Sequence, residues 1–149
     1  MPPAAPPPVL SCVGADLRLG LGPTSGAAGH VYQAVDFTNS GSTPCSMAGF
    51  PGVAYVAGTG VPQVGAPAVE DGVAGPAVTL APGQVAHALI DFVQVGVFDE
   101  STCQPTPVGG INVIAPDDTA PTYLARPGTG CAGHPQSPHL QVRAVQAGA

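Results

Sequence analysis

The sequence lacks lysine and tryptophan altogether, and only 8% of its 149 residues are charged. The only cationic side chains, apart from histidine, are Arg18, Arg126 and Arg143, which are far apart, and the formal net charge is −6. Binding to a nucleic-acid backbone needs several positioned cations, and anionic membrane surfaces attract basic clusters. We therefore expect this protein to bind neither nucleic acid nor an anionic membrane surface.

The sequence also lacks a long hydrophobic run. Its apolar stretches are broken by Gly, Pro, His and Asp, so none reaches the roughly 18 residues of a membrane-spanning helix. We predict no transmembrane segment in this chain. The 21 glycines and 19 prolines follow no fixed period, which excludes collagen and leaves little room for helices. With 44% hydrophobic residues, the chain can bury a core, and its length favours a single domain.

The N-terminal segment is almost entirely proline and alanine, a composition typical of extended polyproline II linkers. We divide the chain into a linker, 1–10, and one domain, 11–149. The start, Met1-Pro2-Pro3, has neither the charged nor the apolar region of a signal peptide. We expect a mature form with an added start methionine and its export signal removed; a cytosolic protein is the alternative.

Alternation of polar and apolar residues between turn signals is typical of half-buried strands. It predicts strands at 16–21, 30–39, 46–57 with a break at 50–52, 78–80, 85–97, 111–115, 122–125 and 140–145, and a loop at 22–29. About seven or eight strands at this spacing predict an all-β, immunoglobulin-like antiparallel β-sandwich rather than a closed barrel. The buried tryptophan of antibody domains is missing.

The same alternation assigns side chains to the core. The residues expected to face inward are Leu17, Leu19 and Leu21 on the first strand, Val31, Val35 and Phe37 on the second, and Ala86, Ala88, Ile90 and Phe92 on the long strand at 85–97. Gln33 falls on the inward face of the second strand and interrupts its apolar pattern. Asp36 and Asp91 are expected to face outward.

Four cysteines in a chain of this size indicate two disulfides or a metal site. They are Cys12, Cys45, Cys103 and Cys131, with no C-x-x-C pair, whereas zinc ribbons usually take their ligands in close pairs. Hairpins at 17–37 and around 116–118 would bring Cys12 towards Cys45 and Cys103 towards Cys131, although the two other connectivities stay open. Disulfides in turn indicate an oxidising compartment.

Several segments resemble one known family. They are Gly26 to Tyr32, Phe37 to Gly41, Cys45 to Val53 and Val78 to Gln84, and together they resemble an actinobacterial secreted and lipoprotein domain, domain of unknown function 4232, over roughly 11–146. The resemblance implies export, an immunoglobulin-like β-sandwich and disulfides. Members of the family are often anchored to the cell envelope by a lipidated cysteine, followed by a linker that resembles residues 1–9. Whether the precursor of this protein is lipid-anchored stays open. The family carries over no catalytic residues.

The candidate chemistry is sparse. His134 and His139 flank two prolines, which preclude the helical spacing of zinc enzymes, and we expect His30 to make a structural hydrogen bond at a strand start. Adjacent acids at 70–71, 99–100 and 117–118 point to opposite faces if extended, and 117–118 lacks the spacing of a calcium loop. We assign no catalytic, cofactor-binding or metal-ligating residue.

The expected function is that of a non-catalytic secreted or cell-envelope domain that binds or supports an envelope or extracellular protein or glycan. Two other classes remain. One is a metal-binding or hydrolytic envelope enzyme that uses loop histidines, with His87, His134 and His139 as its candidates. The other is an adhesion or host-contact module that uses the low-charge Gly/Ala/Pro surface. The sequence leaves the ligand and the oligomeric state unassigned.

Overall fold

The structure is a computed structural model, and it describes residues 9–149. Most of the predicted linker, 1–10, lies outside the described residues. Leu10 at its end already belongs to a strand, because it pairs with Cys45. No helix within 9–149 is both long and apolar enough to cross a bilayer.

The described residues are mainly strand, as the sequence predicts. The thirteen strands in this part of the chain are β1 (Leu10–Ser11), β2 (Leu17–Ala27), β3 (His30–Asn39), β4 (Cys45–Met47), β5 (Gly52–Val56), β6 (Gln63–Val64), β7 (Val69–Asp71), β8 (Val78–Leu80), β9 (Val85–Val93), β10 (Pro105–Ile114), β11 (Thr122–Cys131), β12 (Leu140–Arg143) and β13 (Gln146–Ala147). Within residues 9–149, helical structure is confined to α1 (Glu100–Cys103) and to single 3₁₀ turns at Gly14–Asp16 and Val95–Val97.

These strands form three sheets. The largest has the order β2-β3-β9-β12-β7, with β13 also paired to β9; the second has the order β11-β10-β5-β6, and a small third sheet has the order β1-β4-β8. The pairs β1–β4 and β12–β7 are parallel, so the structure is not purely antiparallel. It has more strands than the seven or eight expected, because two- and three-residue pairings such as β6 and β13 leave no alternation to detect.

One hydrophobic core joins the sheets. Phe37 of β3 and Ile111 of β10 are fully buried in it, and the rings of Tyr55 on β5 and Phe92 on β9 lie 6.1 Å apart. The two larger sheets therefore pack against each other, with the inward residues of each strand interleaved between them. All predicted inward residues of β9 are buried, and on β3 Val35 and Phe37 are buried while Val31 is partly buried.

Several strand boundaries differ from the expectation. Residues 22–27, predicted as loop, continue β2, and β11 runs on to Cys131, well past 125. Both are edge strands of their sheets and contain Pro23 and Pro127, a residue that edges tolerate because its missing N–H can face solvent. In contrast, the strand predicted at 85–97 ends at Val93, where a 3₁₀ turn follows.

Gln33, the polar residue that interrupts the apolar pattern on the inward face of β3, is explained by its hydrogen bonds. The register of β2 against β3 shifts between Leu21 and Thr24, and this bulge leaves a carbonyl free of the ladder. The Gln33 side chain donates from Nε2 to the Gly22 carbonyl at 2.7 Å, and its Oε1 accepts from Arg126 Nε at 2.8 Å. Gln33 thus satisfies both ends of its amide.

The structure forms two disulfides, Cys12–Cys45 and Cys103–Cys131. This is the pairing that the hairpin argument predicts. The β2–β3 hairpin and the parallel β1–β4 pair place the first two cysteines together. The β10–β11 hairpin pairs Pro105 with Cys131, close to Cys103.

Candidate functional site

A groove of about 570 Å³ opens at the end of the large sheet where β3 starts and β9 finishes. We call it the end groove. Its apolar lining is Val93, Val97, Phe98, Pro135 and Pro138, and its polar lining is His30, Asp99, Thr102, Gln136, Ser137 and Gln141. Apolar side chains combined with polar groups that can orient a ligand are typical of binding sites.

Two loops form the walls of the end groove, and they are cross-linked. One wall, 97–102, ends one residue before Cys103, and the other, 135–138, follows Cys131, its disulfide partner. Backbone hydrogen bonds add to the link: Gly133 N–H donates to the Cys103 carbonyl at 2.8 Å, and Ala132 N–H to the Gln104 carbonyl at 3.2 Å. Cross-linked walls reduce the ordering cost of binding a ligand.

Gly133, in the segment that leads to the second wall, packs against the backbone of the first wall so closely that only glycine fits. An added Cβ there would collide with the Thr102 carbonyl oxygen. The chain also turns sharply after α1, where Gln104 adopts a left-handed conformation with φ of 52°. Local backbone geometry and the disulfide therefore hold the groove walls together.

His30 connects the end groove to the outer face of the large sheet. Its Nδ1 lies 2.9 Å from Asp91 Oδ1 and 3.0 Å from Oδ2, and its ring stacks on Tyr32 with centroids 5.9 Å apart. The carboxylate orients the ring through Nδ1, which leaves Nε2 as the nitrogen available to a ligand. The expected structural hydrogen bond of His30 is present, whereas no motif in the sequence indicates that this residue lines a groove.

The end groove has an acidic lining. Asp99 is its one ionisable carboxylate and is held by Ser101, whose hydroxyl donates to Oδ2 at 2.8 Å. No arginine is among the lining residues. This lining suits a neutral or cationic polar ligand better than an anion.

The three histidines of the metal or hydrolase alternative do not come together. His87 lies on the outer face of the large sheet, where Nδ1 is 2.9 Å from the Gly148 carbonyl. His134 and His139 line a recess of about 190 Å³. Within residues 9–149, no three side chains of the His, Cys, Asp and Glu types are grouped so that they could hold a metal ion.

His139 is a buried structural residue, only 3% exposed. Its Nδ1 accepts from the Cys131 N–H at 3.0 Å, and Nε2 lies 2.9 Å from the Ala66 carbonyl, so the two bonds set a neutral tautomer with the proton on Nε2. Its ring also meets Tyr55 edge-on, with centroids 5.2 Å apart. Both nitrogens are used, and a metal ion would have to displace one of these bonds.

The acidic pairs likewise have local roles. Asp118 accepts hydrogen bonds from the N–H groups of Gly14, Thr119 and Ala120, and these backbone donors lower the pKa of its carboxyl group. Asp71 lies 3.4 Å from Arg143 in an exposed ion pair. Through its hydrogen bond with the Gly14 N–H, the Asp118 carboxylate therefore connects the β10–β11 turn to the segment before β2.

A second concavity, the edge groove, has a volume of about 770 Å³ and is lined by 71–73, 75–79 and 143–147. Its lining is largely Gly, Ala, Val and Pro, with the Asp71–Arg143 ion pair at one side. Val73 on its rim is 88% exposed. The edge groove has fewer polar side chains than the end groove, and so it offers fewer groups that could orient a ligand.

Comparison with known proteins gives one match. The model of the family described as Domain of unknown function (DUF4232) matches residues 12–146, and the chain belongs to this family. No curated protein and no solved structure matches the sequence.

Proposed function

We propose that this member of the DUF4232 family is a non-catalytic, extracytoplasmic domain of the immunoglobulin-like β-sandwich class, exported to the cell envelope or secreted, whose end groove binds a partner. The main support for this proposal is the end groove. Its walls are joined by Cys103–Cys131, and its lining combines polar and apolar side chains. Disulfides are stable in oxidising compartments, which supports the extracytoplasmic location. Two packed sheets with loops gathered at one end support the sandwich class.

The lining also indicates the partner's chemistry. Phe98, Pro135 and Pro138 offer apolar contact, Gln136 and Gln141 offer amide donors and acceptors, and Asp99 adds negative charge. A neutral or basic segment of an envelope protein, or a glycan, matches this combination. The histidine nitrogens that could serve catalysis or metal binding are engaged at His139, and partly at His30 and His87.

The test is capture of envelope material by the immobilised folded domain. We expect the wild-type domain to retain a defined protein or glycan, Phe98→Ala and Gln136→Ala to lose it, and Val73→Ala, which alters the edge groove, to keep it. Each variant should first show an unchanged thermal transition. Capture that survives both groove variants, or capture of nothing by the wild type, contradicts the proposal.

A second candidate, adhesion or host contact, is favoured by the exposed apolar rim of the edge groove, where Val73 is 88% exposed. Exposed apolar surface often marks a protein contact. The same capture experiment separates the two candidates, because adhesion through this rim predicts loss of the captured partner on Val73→Ala and retention on Phe98→Ala.

A further inference from the structure

Arg126 on β11 is a half-buried cation without an acidic partner. All nine acidic side chains lie within residues 9–149, and those in contact with a basic side chain there are Asp91, 2.9 Å from His30, and Asp71, 3.4 Å from Arg143. A chain with three arginines and nine acids would be expected to neutralise a cation that it partly buries, because a desolvated charge is costly unless paired. Within residues 9–149, no carboxylate pairs with Arg126.

The guanidinium is held in place by neutral groups. Its central carbon lies 3.6 Å from the centroid of the buried Phe92 ring, and Nε donates to Gln33 Oε1 at 2.8 Å. Gln33 is itself fixed through the Gly22 carbonyl at the β2 bulge. The charged head, rather than the aliphatic stem alone, therefore packs on the core and has little freedom to swing into solvent.

The phenol of Tyr55 lies near Arg126, and the Asp91 carboxylate, which also acts on that phenol, is held 2.9 Å from His30 Nδ1. Burial raises the pKa of Tyr55 to about 12, so the nearby phenol is neutral. Burial also lowers the pKa of Arg126 from its usual range, which reflects the cost of desolvating the cation. The neutral phenol does not compete for the cation, and the partial burial of the guanidinium reduces the screening of its charge by water.

The stacked geometry determines how an anion would approach. A guanidinium lying on an aromatic ring directs its N–H groups outward in its own plane. Nε is occupied by Gln33, and within residues 9–149 the structure shows no hydrogen bond from Nη1 or Nη2. These two nitrogens form a fork that matches the two oxygens of a carboxylate. Arg126 is not among the residues that line the end groove.

We propose that Arg126, stacked on Phe92 and tethered by Gln33, is a receptor for a carboxylate group, supplied by an acidic side chain or a chain terminus of a partner. A carboxylate is favoured over a phosphate, because the net charge of −6 opposes a dianion more strongly than a monoanion. This site goes beyond the end-groove function and is independent of it.

The test is an NMR titration of the ¹⁵N-labelled protein that follows the Arg126 Nε–H signal. The probes are sodium acetate, an acetylated tripeptide amide with a central glutamate, the same peptide with glutamine, and a tripeptide with a free C-terminal carboxylate. Sodium chloride at equal ionic strength and inorganic phosphate are the comparison ions. We expect a saturable shift with the carboxylate probes, no saturation with the glutamine peptide or chloride, and a weaker response to phosphate. The two acidic peptides show which source of carboxylate is preferred.

Variants complete the test. Arg126→Lys keeps the charge but removes the fork, and we expect its affinity for acetate, followed through the backbone amides of Gln33 and Gly128, to fall about tenfold. Gln33→Glu places a carboxylate beside Arg126 Nε. We expect this variant to show no saturable shift with acetate, because its own carboxylate already pairs with the guanidinium. Arg143→Met is the matched control and should respond as the wild type does. A chloride response equal to that of acetate, a stronger response to phosphate, or an unchanged response in Arg126→Lys or Gln33→Glu would overturn the proposal.

Discussion

At the scale of single residues, the core aromatics contribute much of the packing. The chain has four phenylalanines and three tyrosines, and Phe37, Phe92 and Tyr55 are all buried. Two polar side chains are also buried: His139, and Asn39, whose Nδ2 donates to the Thr43 and Leu80 carbonyls at 2.9 Å. These polar residues join loops to strands, so the core is held by hydrogen bonds as well as by apolar contact.

Truncation of the core aromatics should be costly. We expect Phe37→Ala and Phe92→Ala each to lower the free energy of unfolding by about 3–5 kcal/mol, because each leaves a cavity. Asp36→Ala, in the same hairpin, should change it by less than about 0.5 kcal/mol, as is usual for positions without special contacts. Asp91→Ala should cost about 1 kcal/mol, because Asp91 holds His30.

Denaturant titration of these four variants measures the differences. Asp91 departs here from the simple expectation for an outward-facing residue, since its side chain is only 13% exposed. If Asp36→Ala proved more damaging than Phe37→Ala, the inward and outward faces of β3 would have to be exchanged.

Asp118 should make stability depend on pH in the acidic range. The N–H groups of Gly14, Thr119 and Ala120 lower its pKa in the folded state, so the ionised carboxylate favours folding. This contribution is present above the pKa of the unfolded chain and is lost as the pH falls through the folded-state value. We expect Asp118→Ala to lower the Tm at neutral pH.

The difference in Tm between Asp118→Ala and the wild type should shrink towards zero in strongly acidic buffer. Asp117→Ala is the neighbouring control for the removal of a carboxylate. A Tm difference for Asp118→Ala that is constant across the pH series would mean that the hydrogen-bonded charge is not its cause.

At the scale of elements, glycines in β10 allow its close approach to neighbouring strands. The register of β10 against β11 shifts between Val108 and Gly110, and a Cβ at Gly110 would collide with the Leu124 carbonyl oxygen. The bulge thus depends on a residue without a side chain. The turn signals of the sequence indicate a hairpin here, but not where its register changes.

Gly110→Ala should therefore destabilise the protein by at least about 2 kcal/mol, since backbone atoms must move to relieve the contact. Gly20→Ala in β2 is the matched control, because nothing lies within 4 Å of the added Cβ. We expect Gly20→Ala to be neutral or to stabilise by about 0.4–1 kcal/mol. Thermal unfolding of both variants measures this, and equal losses would contradict the steric explanation.

At the scale of the whole molecule, two disulfides connect regions far apart in sequence. Their cysteines are separated by 33 and 28 residues, and loops of this size are worth about 3–4 kcal/mol each in the chain-entropy model. Cys12–Cys45 joins the end of β1 to its neighbour β4 in the small sheet, whereas Cys103–Cys131 joins the walls of the end groove. The first bond supports the fold, and the second supports both the fold and the candidate site.

Peptide mapping without reduction should give only the pairs Cys12–Cys45 and Cys103–Cys131, and any Cys12–Cys103 peptide would contradict the fold. Replacing both members of either pair by serine should lower the free energy of unfolding by about 3–4 kcal/mol. The Cys103→Ser, Cys131→Ser double variant should also weaken capture of a partner, whereas Cys12→Ser, Cys45→Ser should not. Equal capture by both double variants would show that the link between the walls is not needed for binding.

The all-β class and the inward faces of β3 and β9 follow from the sequence alone, and its hairpins favour the observed cysteine pairing over the two other connectivities. These follow from local rules: period-two alternation sets the face of each side chain, and turn residues set which strands are neighbours. The end groove, the position of Arg126 over Phe92 and the buried role of His139 arise from tertiary packing. Each of these joins residues from strands and loops that are distant in sequence, and no local pattern encodes which of them meet once the two sheets pack together.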